Sequence, residues 1–97
     1  MGAVEATVII TLDYMARRRG EANFTFTKAE FIKTYYFLVR HGKITRHKVE
    51  SILRALRLLA SRGFGVKYLD RSKGVYLCDP VELHVLVERC GLKPIME

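Results

Sequence analysis

Two helix boundaries stand almost end to end in the middle of this chain. Thr27 and Glu30 make a capping box, in which the threonine hydroxyl takes an amide of the first turn and the glutamate reaches back to the cap. Phe31, Ile32, Tyr35, Leu38 and Val39 then recur at helical spacing up to Gly42, a residue type that ends helices because it accepts positive φ. Only Lys43 and Ile44 follow before Thr45, which suits the N-cap of a further helix over 46–62, closed by Gly63. Two helices joined by so short a link must meet at a sharp corner. On the second of them Val49, Ile52, Leu53, Leu56 and Ala60 form one apolar stripe that must face a core. The opposite face carries His47, Ser51, Arg54, Leu58 and Arg62, with Lys48 at its edge.

The flanking segments are shorter and follow from local chemistry. Phe24-Thr25-Phe26 alternates as a very short strand, and Gly65–Leu69 with Gly74–Cys78 reads as a hairpin around the polar turn Asp70-Arg71-Ser72-Lys73. Asp79 as N-cap, Pro80 at the first helical position and Glu82 open a last helix over 80–90 that stops at Gly91. Ala3–Arg19 is ambiguous: the run Thr7-Val8-Ile9-Ile10-Thr11 favours a strand. The stripe Val4, Val8, Thr11, Leu12 and Met15 and the basic end Arg17–Gly20 favour a helix, which is the reading taken. The expected fold class is mainly α with a small antiparallel β-sheet, in the order helix, short strand, helix, helix, hairpin, helix.

No repeat, linker or low-complexity tract divides the 97 residues, so one domain over 1–97 is expected. No apolar run has the length of a membrane span, and no basic segment precedes the apolar stretch near the start, so a cytoplasmic protein is expected. The absence of Gln and the single Asn suggest a hot-environment source. Cys78 and Cys90 are too few for a disulfide framework, and with His84 midway they lack the spacing of a zinc site; no metal and no cofactor are expected. The three histidines are dispersed, no phosphate loop follows a strand, and no nucleophile has a base beside it in sequence, which argues against an enzyme.

Charge is what remains to explain. Seventeen basic residues face ten acidic ones, and residues 43–73 alone hold nine basic and two acidic, an excess equal to that of the whole chain. A merely solvating surface would spread it more evenly, so a polyanionic partner is expected. Arg46, His47 and Lys48 in the first turn of a helix would oppose its dipole unless an anion sat there too.

The runs Phe26-Thr27-Lys28-Ala29-Glu30-Phe31, His41–Val49, Ile52–Leu56 and Ser61-Arg62-Gly63-Phe64 resemble winged helix-turn-helix transcription regulators, over about residues 4–78. The cap-to-cap spacing of the two central helices and the exit Leu56–Phe64 carry most of the likeness. The resemblance implies sequence-specific double-stranded DNA binding, with the third helix in the major groove and the hairpin as a wing on flanking backbone or minor groove. Lys43, Thr45, Arg46, His47, Lys48, Ser51 and Arg54 are then the expected contacts of the corner and helix, and Arg71, Ser72 and Lys73 those of the wing. An RNA- or ribonucleoprotein-binding role and a protein-interaction role are the alternatives.

The last helix is apolar on two sides, with Val81 and Val85 on one and Leu83, Leu86, Val87 and Cys90 on the other. A helix with two apolar faces needs two covers. The second is either the chain's own tail from Leu92 or a second copy; a homodimer through Leu83, Leu86, Val87 and Cys90 is the reading taken.

Overall fold

A computed structural model describes residues 2–96. Four helices, α1 (Ala3–Arg19), α2 (Lys28–Arg40), α3 (Val49–Arg62) and α4 (Pro80–Arg89), surround a sheet of β1 (Phe24–Thr27), β2 (Val66–Asp70) and β3 (Val75–Cys78). The sheet is antiparallel in the order β1-β3-β2, so the first short strand closes the hairpin on its inner edge. This is the mainly helical class with a small antiparallel sheet that the patterning predicts.

α1 is the element around which the others pack, touching α2, α3 and α4. The expected single stripe is too narrow: Thr7, Val8, Ile9, Thr11, Leu12, Asp13, Tyr14, Met15 and Ala16 are all buried. Burial on several sides outweighs the weak helix preference of a β-branched run. The buried hydroxyls close their hydrogen bonds within the helix, Thr7 Oγ1 donating to the Ala3 carbonyl at 2.9 Å and Thr11 Oγ1 to that of Thr7 at 2.7 Å. Asp13, 3% exposed, accepts from Arg17 Nε at 2.7 Å one turn on.

α2 begins at the capping box foreseen, with Thr27 Oγ1 accepting from the Glu30 amide and the Glu30 carboxylate accepting from the Thr27 amide. It ends in a Schellman arrangement: Gly42 at φ 67° donates to the Val39 carbonyl, and Lys43 donates to that of Leu38. Phe31, Tyr35 and Leu38 point inward, as do Ile52, Leu56 and Ala60 of α3.

A ladder of rings ties the sheet to this core. Phe31 meets Phe26 at 6.3 Å, Phe26 stacks on Tyr76 at 5.2 Å, Tyr76 stacks on Tyr68 at 5.2 Å, and the Arg71 guanidinium lies 4.8 Å over Tyr68. Offset rings at these separations add to area burial, and the cation at the end anchors the hairpin tip to its own strands. β2 starts at Val66 and includes Asp70, and β3 starts at Val75, so the turn is Arg71–Gly74 and lies one residue later than expected. The irregular pairing between Tyr68 and Asp70, which leaves Leu69 without a partner in the register, accounts for the offset.

Gly65 fixes how α3 and β2 approach α4. Its φ is +84°, and a Cβ there would stand 3.2 Å from the Leu83 Cα. Its amide donates to Glu82 Oε1 at 3.2 Å and its carbonyl accepts from the Asp79 amide at 2.9 Å. Asp79 in turn accepts from the amides of Val81 and Glu82, the cap expected of it. The face of α4 assigned to a second copy is partly turned inward: Leu83 and Val87 are 0% and 1% exposed within their own chain. They fill the core beside α1, and only Leu86 and Cys90 of that set keep partial exposure. No described helix is long and apolar enough to cross a membrane.

Candidate nucleic-acid interface

The α2–α3 corner is built around one buried hydroxyl. Tyr35 is 0% exposed; its OH accepts from the His47 amide at 2.6 Å and donates to the His47 carbonyl at 2.9 Å. Both backbone groups of His47 are thereby committed outside any helix, and Lys48 is extended at φ −62°, ψ 132°. This overturns the expected start of α3. Thr45 is not its cap; Lys48 holds the cap position without a side-chain hydrogen bond, and Val49 is the first helical residue. Arg46, His47 and Lys48 therefore precede the first turn, which carries Glu50 instead. Glu50 complements the helix dipole within the chain, so Arg46, His47 and Lys48 do not oppose it and no anion is called for at this helix start.

Tyr35→Phe tests this anchor. With the hydroxyl gone, the amide and carbonyl of His47 lose their partner, and the variant should be less stable by about 1–2 kcal/mol. Chemical denaturation reads the difference; a change within error would mean that solvent serves the corner as well as Tyr35 does.

The expected contact residues fall into three segments. Lys43, Thr45, Arg46 and Lys48 are exposed on the corner, whereas His47 is half-buried and its Nε2 is enclosed with no hydrogen-bond partner among the described residues. His47 is thus held as part of the corner rather than displayed. On α3, Arg54 is exposed and Ser51 half-buried. At the hairpin tip Arg71, Ser72 and Lys73 are exposed, but Ser72 Oγ donates to Asp70 Oδ1 at 2.8 Å and the Lys73 amide donates to the same oxygen at 3.1 Å. Ser72 shapes the turn, while Arg71 and Lys73 carry its charge. The Ser72 hydroxyl, followed by the Lys73 amide, holds the Asp70 carboxyl below its ordinary value of 3.8. That contribution to the turn is complete above the ordinary value and is lost as pH falls through the lowered one.

Arg57 belongs with this set although the helical pattern does not single it out. One turn beyond Arg54, it is exposed, and its charge acts on the ionisation of Tyr76 on β3. On a wheel it lies close to the apolar stripe, yet it is exposed where α3 packs against β2. The concentration of basic residues over 43–73 was the available signal.

Leu58, on the outer side of α3, is 48% exposed. It rims a groove with Glu5, Ala55, Leu59, Leu86 and Cys90. Among the described residues no three His, Cys, Asp or Glu side chains stand together as a metal site. No family model, curated protein or solved structure matches this chain.

Proposed function

We propose that this chain is a winged helix-turn-helix protein that binds double-stranded DNA sequence-specifically, as a small transcription regulator rather than an enzyme. The observation that carries the reading is the pairing of β1 with β3, which backs the hairpin with a third strand. The basic tip, Arg71 and Lys73, projects from that sheet, and Arg54 and Arg57 stand exposed on α3. Arginine on an exposed helix suits the major groove, where its two parallel donors match the O6 and N7 of guanine. A basic strand turn suits phosphates, which position a protein without reading sequence.

Selection from a random duplex pool tests the reading directly, with hairpin RNA as competitor. Enrichment of a defined duplex sequence, with affinity falling steeply as salt rises, is the expected result. Equal affinity for hairpin RNA and all duplexes would defeat it. Within this scheme Arg54→Ala should cost about 1–3 kcal/mol on the selected site and relax sequence choice. Lys73→Ala should weaken all duplexes alike and flatten the salt dependence. Uniform loss from Arg54→Ala would remove Arg54 from base reading.

The assembly part of the proposal, a homodimer, now rests on the groove rim formed by Leu58, Leu86 and Cys90, since Leu83 and Val87 serve the chain's own core. Two α3 helices related by a twofold axis would meet successive major grooves about 34 Å apart and select a pseudo-palindrome.

A further inference from the structure

The groove that Leu58 rims opens between α1, α3 and α4 and holds about 130 Å³. That is well short of the roughly 300 Å³ at which small-molecule sites begin, and it is room for one aliphatic side chain. Its floor is apolar: Val8 and Ile9 of α1 are buried, with Ala55 and Leu59 of α3 and Leu86 of α4 half-buried around them. Leu58 stands beside the depression with 48% of its surface in solvent. One patch thus presents both an apolar projection and an apolar hole.

The charges at the mouth have the same double character. Glu5, on the first turn of α1, is half-buried, and Arg62, on the last turn of α3, is exposed; both line the groove. Neither forms a hydrogen bond or an ion pair among the described residues, whereas Arg17 and Arg19 at the other end of α1 are paired with Asp13 and Glu30. Each charge suits the dipole of its own helix, which accounts for its sign but not for the meeting of both signs on one apolar groove. A surface that carries a knob and a hole, an acid and a base, is complementary to itself. A twofold axis brings one residue against a second of the mate and that second against the first, as such a surface requires. The face is separate from the arginines offered to DNA: at 3.6 residues per turn, Ala55 and Leu59 lie at least about 100° round α3 from Arg54 and Arg57.

We propose that this groove is the seam between two copies of the chain, the Leu58 side chain of each entering the groove of the other and Glu5 of each pairing with the partner's Arg62. The inference rests on the twofold part of the function proposed above and supplies its contacts. With Leu58 at the axis, the stretch back to Lys48 carries the start of each α3 about 15 Å away at 1.5 Å per residue. Oppositely directed helices then hold their starts up to about 30 Å apart, near the spacing of successive major grooves.

Charge reversal tests the pairing without nucleic acid. At low ionic strength Glu5→Arg and Arg62→Glu should each keep the circular dichroism of the wild type and weaken the dimer at least about tenfold in sedimentation, because each puts like charges together twice across the axis. Mixed in equal amounts, the two variants should recover dimers of about wild-type affinity, since every crossing pair is then opposite in sign. Leu58→Asp, at an exposed position, should fold and sediment as a monomer. Variants that dimerise as the wild type does would place the seam elsewhere and leave the homodimer standing, and a mixture that stays monomeric would show that Glu5 and Arg62 do not meet across the axis; both results overturn the proposal. A wild-type chain that is monomeric at every concentration would overturn it together with the twofold reading and leave the DNA reading untouched.

Discussion

At pH 8.5 the monomeric Leu86→Glu variant should take up iodoacetamide at Cys90, the proposed dimer should do so more slowly, and both should leave Cys78 unmodified until they unfold. Cys78 is 0% exposed on β3, and burial first, then the charges of Asp79 and Asp13, push its thiol up to about 12. At that value the reactive thiolate is about a thousandfold rarer than for an ordinary cysteine, before access is considered. Cys90 is half-buried at the groove rim. Mass spectrometry of the labelled chain over time reads both sites, and rapid native labelling of Cys78 would contradict its burial.

The same thiol should weaken the fold at high pH. A group whose value is raised by folding contributes fully below its unfolded value, near 9, and the contribution is lost as pH rises toward the folded value of about 12. For a group buried this deeply, the difference corresponds to about 4 kcal/mol, an upper figure for a chain of this size. Tyr76, also raised chiefly by burial, adds to the loss at higher pH. Denaturation between pH 8 and 11 should therefore show a steep fall that is shallower in Cys78→Ala, although that variant starts lower because of the cavity it leaves. An identical slope in both would sink the assignment.

The second large effect separates core from surface on α4. Leu83→Ala should destabilise the chain by about 3–5 kcal/mol, because Leu83 is fully enclosed and its Cα lies against Gly65, so the backbone there cannot collapse into the vacated space. In a domain this small the melting temperature should fall by about 15 °C or more. Leu86→Glu, at a half-buried rim position, should instead fold and shift sedimentation from dimer to monomer with much weaker binding to a palindromic duplex. A wild-type chain that sediments as a monomer, or a Leu86→Glu variant that remains dimeric, would end the twofold reading. A Leu83→Ala variant as stable as wild type would show that α4 is not docked where the structure has it.

Elements whose ends are written in local chemistry were legible from the sequence. The Thr27–Glu30 box, the glycines at 42 and 63 and the Asp79-Pro80 start are caps whose partners lie within four residues, and each stands where the residues require it. The inward stripe of Ile52, Leu56 and Ala60 is a local periodicity of the same kind, as is the hairpin with its basic tip. The sequence therefore determined the number and order of the helices, the small sheet and the concentration of positive charge in the middle of the chain.

What only the tertiary structure decided involves groups far apart in sequence. Residue 47 stays outside α3 because a hydroxyl twelve residues earlier, on Tyr35, takes both of its backbone groups, and no rule of capping registers that competition. The two apolar faces of α4 read alike in a list of residues; contact with α1 and with the corner at Gly65 gave Leu83 and Val87 of one face to the core, left Leu86 of that face on a rim, and left Val81 of the other face 62% exposed. Arg57 borders the apolar stripe of α3 on a wheel and is nonetheless exposed. Local hydrogen bonds and periodicity are properties of a short segment, whereas burial is a property of the surfaces that happen to meet, and it was burial that chose the residues displayed to a partner.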